Sequence, residues 1–186
     1  SGCSEIPEYL FRLAYAALRD GYTATAAHHL RDAAAYLLAA ARQAPDTARQ
    51  AALRHMAAEV RLAAARACDG APSTDELGTV CARAQLALAD CEQRHALLAW
   101  LRSDYQRAGC HLDSAIRQLR RAQAWIDPVD TVPDADESPA SDAQRIADAL
   151  AEGWCVRGDR VSALVFGLEI EIAQMTRTMR STPALA

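Results

Sequence analysis

The chain contains no lysine and no asparagine, and only 5% of its 186 residues are aromatic. Without lysine there is neither a Schiff-base amine nor a P-loop cation, which excludes two large enzyme classes. Every fixed side-chain cation is one of 20 arginines, whose planar guanidinium favours bidentate partners. The joint loss of Lys and Asn reads as GC-rich coding bias. Selection against ubiquitylation, as in an injected effector or a viral protein acting on a host partner, is the other reading. Only 8 glycines exclude a collagen repeat, and a 51% hydrophobic share excludes a chain too polar to fold. β-Branched and aromatic residues are too scarce to favour a sheet.

Several functional handles are also missing. Cys3, Cys68, Cys81, Cys91, Cys110 and Cys155 lie far apart with no CxxC pair, which fits free thiols in a reducing compartment. No apolar run approaches the roughly 18–20 residues of a membrane span, and no basic-then-apolar segment opens the sequence. The expected location is therefore cytoplasmic. A net charge of −4 argues against nucleic-acid binding, because phosphate neutralisation dominates that affinity. The cluster Arg117, Arg120 and Arg121 reads as the solvated face of an amphipathic helix. No Walker loop, Rossmann glycine set, G-x-S-x-G or H-E-x-x-H occurs, and no cofactor is implied.

What is present is alanine, 43 residues of it, together with leucine and arginine, all strong helix formers. The expected fold is all-α: a bundle of six or seven helices, or a short helical-repeat array, with no sheet. Glycine and proline mark the limits. A first helix spans about 5–20, with Ser4 as N-cap and Gly21 as stop. A second spans about 23–43 with Leu30, Ala33 and Leu37 on one stripe, and a third about 46–68 with Leu53, Met56 and Val60. Ser73-x-x-Glu76 matches a capping box and opens a long periodic stretch that ends near Gly109. A fifth helix covers about 111–126. Residues 127–141 hold five acids, three prolines and no base, the composition of an exposed acidic connector. A sixth helix follows Ser141, and a seventh runs from about 159 to 180. Two regions are expected: an N-terminal three-helix unit at 5–69, and a C-terminal set at 73–182 interrupted by the acidic loop 127–141.

In the last helix, Val161, Val165, Leu168, Ile172, Met175 and Met179 repeat at four and three, a heptad-type seam. Leu164, Phe166 and Ile170 fall outside it, so this helix is either central to its bundle or buries a face against a partner chain.

Gly21-Tyr22-x3-Ala26 with Leu30, Ala33, Leu37, Ala40 and Pro45 resembles a tetratricopeptide unit, and a similar echo begins at Gly109. With Asp20, Leu53-Arg54 and the Ala64/Arg66 region, the same stretch resembles the microtubule-interacting-and-trafficking (MIT) three-helix bundle, although Tyr22 to Ala26 is one residue longer than that family's spacing. The resemblance covers about 5–68. Either family would imply an inter-helix groove that receives a peptide or amphipathic helix from a protein partner.

Three constellations carry possible chemistry. Cys91, Glu92 and His95 place metal-ligating types within one helical turn, and Glu92-x-x-His95 is half of a di-iron motif. No second Glu-x-x-His or Cys-x3-His completes a site, so a buried, satisfied histidine beside a small hydrophobic cysteine is the competing reading. His28 and Asp32 form either an acid–base couple or an i,i+4 surface pair. Cys110 and His111 are neighbours whose side chains diverge by about 100° on a helix. Trp100, Trp125 and Trp154 lie near helix ends, where core anchoring is expected.

The expected function is a non-enzymatic protein–protein interaction module: an adaptor, a secretion-type chaperone or a regulatory subunit. Its partner would contact Leu30, Leu37 and Val60 in an inter-helix groove, or Val165, Leu168, Ile172 and Met175 on the last helix, through which a homodimer would also form. A helical bundle enclosing a small ligand or metal, and acting as an enzyme, is the second expectation.

Overall fold

The computed structural model describes residues 6–69, 73–126 and 139–181. Among these residues the chain forms seven α-helices and no strand: α1 Ile6–Arg19, α2 Thr23–Gln43, α3 Thr47–Cys68, α4 Thr74–Leu101, α5 Tyr105–Ile126, α6 Pro139–Ala151 and α7 Gly158–Ser181. None is long and apolar enough to cross a membrane. The proposed Ser4 cap and most of the acidic segment 127–141 lie outside the described residues.

The helix limits follow local chemistry. α1 ends in a Schellman closure at Gly21, whose φ of 82° suits a residue without a Cβ. Asp46 caps α3, its side chain accepting the Arg49 N–H at 2.9 Å. Ser73 caps α4 by accepting the Glu76 N–H at 3.2 Å, while the Glu76 carboxylate pairs with Arg66 of α3.

The long periodic stretch departs from expectation. Its break falls at Arg102, Ser103 and Asp104, and not near Gly109. Ser103 takes a left-handed φ of 60°, and Asp104 accepts the Arg107 N–H at 3.3 Å to restart the chain as α5. Gly109 lies inside α5 because α6 crosses there. A Cβ at that position would stand 2.3 Å from Ala151 N and 2.7 Å from Ala147 O, so only glycine permits the approach.

α4 is the axis of the molecule and packs against α1, α3, α5 and α7. Its two faces serve two cores. Cys81, Ala84, Leu88 and Cys91, spaced three and four apart, join Phe11, Leu30, Leu37, Leu53 and Val60 of α1–α3. Leu86, Ala89 and Ala96 face the other way, toward Leu112, Ile116, Leu119, Leu150, Val161 and Val165 of α5–α7. A helix apolar on both sides is buried on both sides. The first core is thus completed by α4 residues from Leu77 to Cys91. The second is tied across by Gln93, which donates its buried amide to Val165 O at 3.0 Å.

α7 does not occupy the centre. Val161, Val165, Leu168 and Ile172 are buried against the second core, with Met175 and Met179 partly buried beside them. Phe166 and Ile170 remain 54% and 58% exposed on the opposite side.

Candidate functional site

The residues expected to contact a partner are core residues of this chain. Leu30, Leu37 and Val60 are fully buried in the first core, and Val165, Leu168 and Ile172 are buried in the second. The alanines around them (Ala26, Ala33, Ala34, Ala57, Ala64) are buried too, so α2 and α3 approach closely and close over the stripe expected to form a groove.

Cys91, Glu92 and His95 diverge. Cys91 points into the first core, where burial and then the Glu92 and Asp90 carboxylates push its thiol up to about 12. A thiol held protonated is a poor ligand and a poor nucleophile. Glu92 reaches across to α5, where its Oε2 meets His111 Nδ1 at 2.6 Å. His95 stacks on His111 with ring centroids 5.0 Å apart and 19° between planes. Burial, reinforced by the neighbouring His111, pulls the His95 pKa below 6.5. Among the described residues no group of three or more His, Cys, Asp or Glu side chains is placed to hold a metal ion.

Beside this cluster Arg49 clamps the α2–α3 corner to α4. Its guanidinium lies 3.0 Å from Asp46 Oδ2 and 2.9 Å from Asp90 Oδ1, and its Nε donates to Asp90 O at 3.3 Å. The Glu92–His111 pair and the Arg49 clamp join residues far apart in sequence, and spacing along one helix gives no signal for either. His28 and Asp32, in contrast, form an exposed pair at 3.4 Å across one turn, as i,i+4 neighbours do.

An open concave surface lies on the second half of the molecule. α6 and the start of α7 enclose a groove of about 860 Å³ with Ile146, Ala149, Val156 and Leu164 along its floor and Arg145, Arg157 and Arg160 on its rim. It runs into a second pocket of about 650 Å³ lined by Trp100, Asp104, Tyr105 and Trp154, sharing Cys155 and Val156 with the first. Of the three tryptophans expected in the core, Trp125 is partly buried and donates its indole N–H to Glu8 at 3.2 Å. Trp154 departs from expectation at 67% exposed, because it follows the turn that ends α6 and projects from it.

Comparison of the chain with protein-family models, with curated proteins and with solved structures found no match.

Proposed function

We propose that the chain is a non-enzymatic protein–protein interaction module, of the adaptor, secretion-chaperone or regulatory-subunit kind, whose α6–α7 groove receives an amphipathic helix from a protein partner. The observation that carries this reading is the groove floor. Ile146 of α6, Val156 of the α6–α7 connection and Leu164 of α7 stay partly exposed along an open cleft, although Leu150, Val161 and Val165 of α6 and α7 are buried. An apolar channel with a polar rim is the usual form of a helix-in-groove site.

Arginines on the rim support an acidic flank on the partner helix. Among the described residues Arg145 and Arg157 pair with their near neighbours Asp142 and Asp159, in exposed ion pairs of small worth. Carboxylates on the flank of an incoming helix would replace those contacts in a drier setting. Helices selected from a random peptide library against the full chain should be amphipathic, with Asp or Glu beside the apolar stripe. Leu164→Asp should weaken their binding at least tenfold, and Arg157→Glu should reverse the preference for acids. Selected peptides that bind the Leu164→Asp variant with undiminished affinity would defeat the proposal.

A second reading is favoured by Phe166 and Ile170, one turn apart on the outward face of α7 and both more than half exposed. There a second copy of the chain would pack, through these residues and not through the buried seam of Val165, Leu168 and Ile172. Sedimentation equilibrium of Phe166→Asp/Ile170→Asp beside the parent chain decides it: a dimer converted to monomer supports the reading, and an unchanged monomer removes it.

A further inference from the structure

Two helix-ending turns share the pocket at the far end of the second core. One follows α4 and the other follows α6, and both are closed by a left-handed residue, Ser103 at φ 60° and Gly153 at φ 84°. Their main-chain bonds match. Asp104 N–H reaches Ala99 O at 3.0 Å and Ser103 N–H reaches Trp100 O at 2.9 Å; Trp154 N–H reaches Ala149 O at 2.8 Å and Gly153 N–H reaches Leu150 O at 3.0 Å. Each Schellman closure turns the following residue, Asp104 or Trp154, toward the same pocket.

The walls are aromatic to a degree the composition does not suggest. The chain has 3 tryptophans, and two of them line this one pocket together with Tyr105. The Trp100 and Tyr105 rings meet at an angle of 56° with centroids 5.0 Å apart, forming a corner, and Trp154 also lines the pocket.

The electrostatics favour a cation. α4 and α6 both end here, bringing the negative poles of two helix dipoles to one place. Asp104 adds a full charge, and the Glu152 carboxylate, beyond the lining residues, accepts the Trp154 indole N–H at 3.0 Å. Three positive features oppose them. α5 begins at Tyr105, so the positive pole of its dipole meets the same pocket and offsets the negative pole of α4, and Asp104 caps it by accepting the Arg107 N–H at 3.3 Å. The N-terminus of α7 at Gly158 also lines the pocket, but Asp159 in its first turn offsets it. Arg107 pairs with Asp104 at 3.7 Å from a side chain 71% exposed, a solvated contact that a ligand can displace.

We propose that this pocket binds a methylated ammonium group, seated against the faces of Trp100, Tyr105 and Trp154 with Asp104 as its counter-charge. A methylated cation suits these walls better than a bare ammonium. It is weakly hydrated, and the aromatic faces attract its charge without needing hydrogen bonds.

The test is calorimetric titration of the full chain with two probes: choline, and a peptide carrying one trimethyllysine. Two controls run beside them: the unmethylated peptide, and 3,3-dimethylbutan-1-ol, the uncharged carbon analogue of choline. At least one cation should bind saturably, and its uncharged or unmethylated counterpart should bind about tenfold more weakly or not at all. Which of the two binds identifies the source of the group. Trp154→Leu and Asp104→Asn should each lower affinity about tenfold. Trp154 is exposed, so its loss leaves the core intact, and an asparagine at 104 keeps an oxygen to cap the Arg107 N–H. Saturation by neither cation, equal affinity for the uncharged analogue, or binding unchanged in both variants would each overturn the proposal.

Discussion

Gln85 of α4 donates its side-chain amide to the Glu8 carboxylate of α1 at 2.9 Å, and both side chains are buried. The same carboxylate receives Arg12 Nε at 2.6 Å and the Trp125 indole N–H of α5 at 3.2 Å. One buried acid therefore ties the first helix to the axial helix and to α5. Glu8→Ala leaves the Gln85 amide and the indole N–H without an acceptor, at a cost of about 2–4 kcal/mol. Glu8→Gln keeps the acceptor oxygen and should cost less than half as much. Urea unfolding of the three proteins measures the difference.

Gly109 and Gly167 are both helix-interior glycines, and alanine should act on them in opposite directions. At 109 the new methyl meets the α6 main chain at 2.3 Å, which cannot yield without separating α5 from α6. That overpacking should cost about 3 kcal/mol or more. At 167 nothing lies within 4 Å, so Gly167→Ala should stabilise α7 by about 0.5–1 kcal/mol. Thermal unfolding should show a lowered Tm for the first and a raised one for the second.

Ser103 is the one non-glycine residue with positive φ among those described, at 60°. A Cβ in that region carries a steric cost that glycine avoids. Ser103→Gly should therefore stabilise the chain, by about 0.5 kcal/mol after the added freedom of the unfolded state is subtracted. A higher urea midpoint at unchanged slope is the expected result.

His95 should make the fold acid-sensitive in a defined window. Burial, and then His111, hold its folded pKa below 6.5. As the pH falls, the unfolded chain takes up the proton first, so stability rises with pH. The contribution is fully present above 6.5 and is lost as the pH falls through the lower folded value. Asp46, also lowered, but from 3.8 and chiefly by the Arg49 N–H, loses its contribution in a separate and more acidic range. Comparing urea midpoints at about pH 7.5 and about pH 5.5 should show a drop in the parent chain that is smaller in His95→Gln.

Much of this architecture was readable along the chain. The limits of α2, α3 and α7 follow from Gly21, Pro45, Asp46 and Gly158, because caps and stops act over one helical turn. The α4–α5 break was not, since Ser103 carries no intrinsic preference for a left-handed turn and Gly109 looked like the better breaker. The candidate site was less readable still. Leu30, Val60 and Leu168 mark apolar faces, but an apolar stripe looks the same whether its cover is another helix of the chain or a partner.

The sequence by itself determined the all-α class, the seams of each helix and the absence of lysine chemistry, because propensity, capping and 3.6-residue periodicity are local. Only the tertiary structure decided that α4, and not α7, is the shared axis. It alone joined Glu92 to His111 and Glu8 to Gln85, and brought Trp100, Tyr105 and Trp154 to one pocket. Those pairings depend on which helix covers which face, and that is settled by the competition of all apolar faces for one another, not by any segment alone.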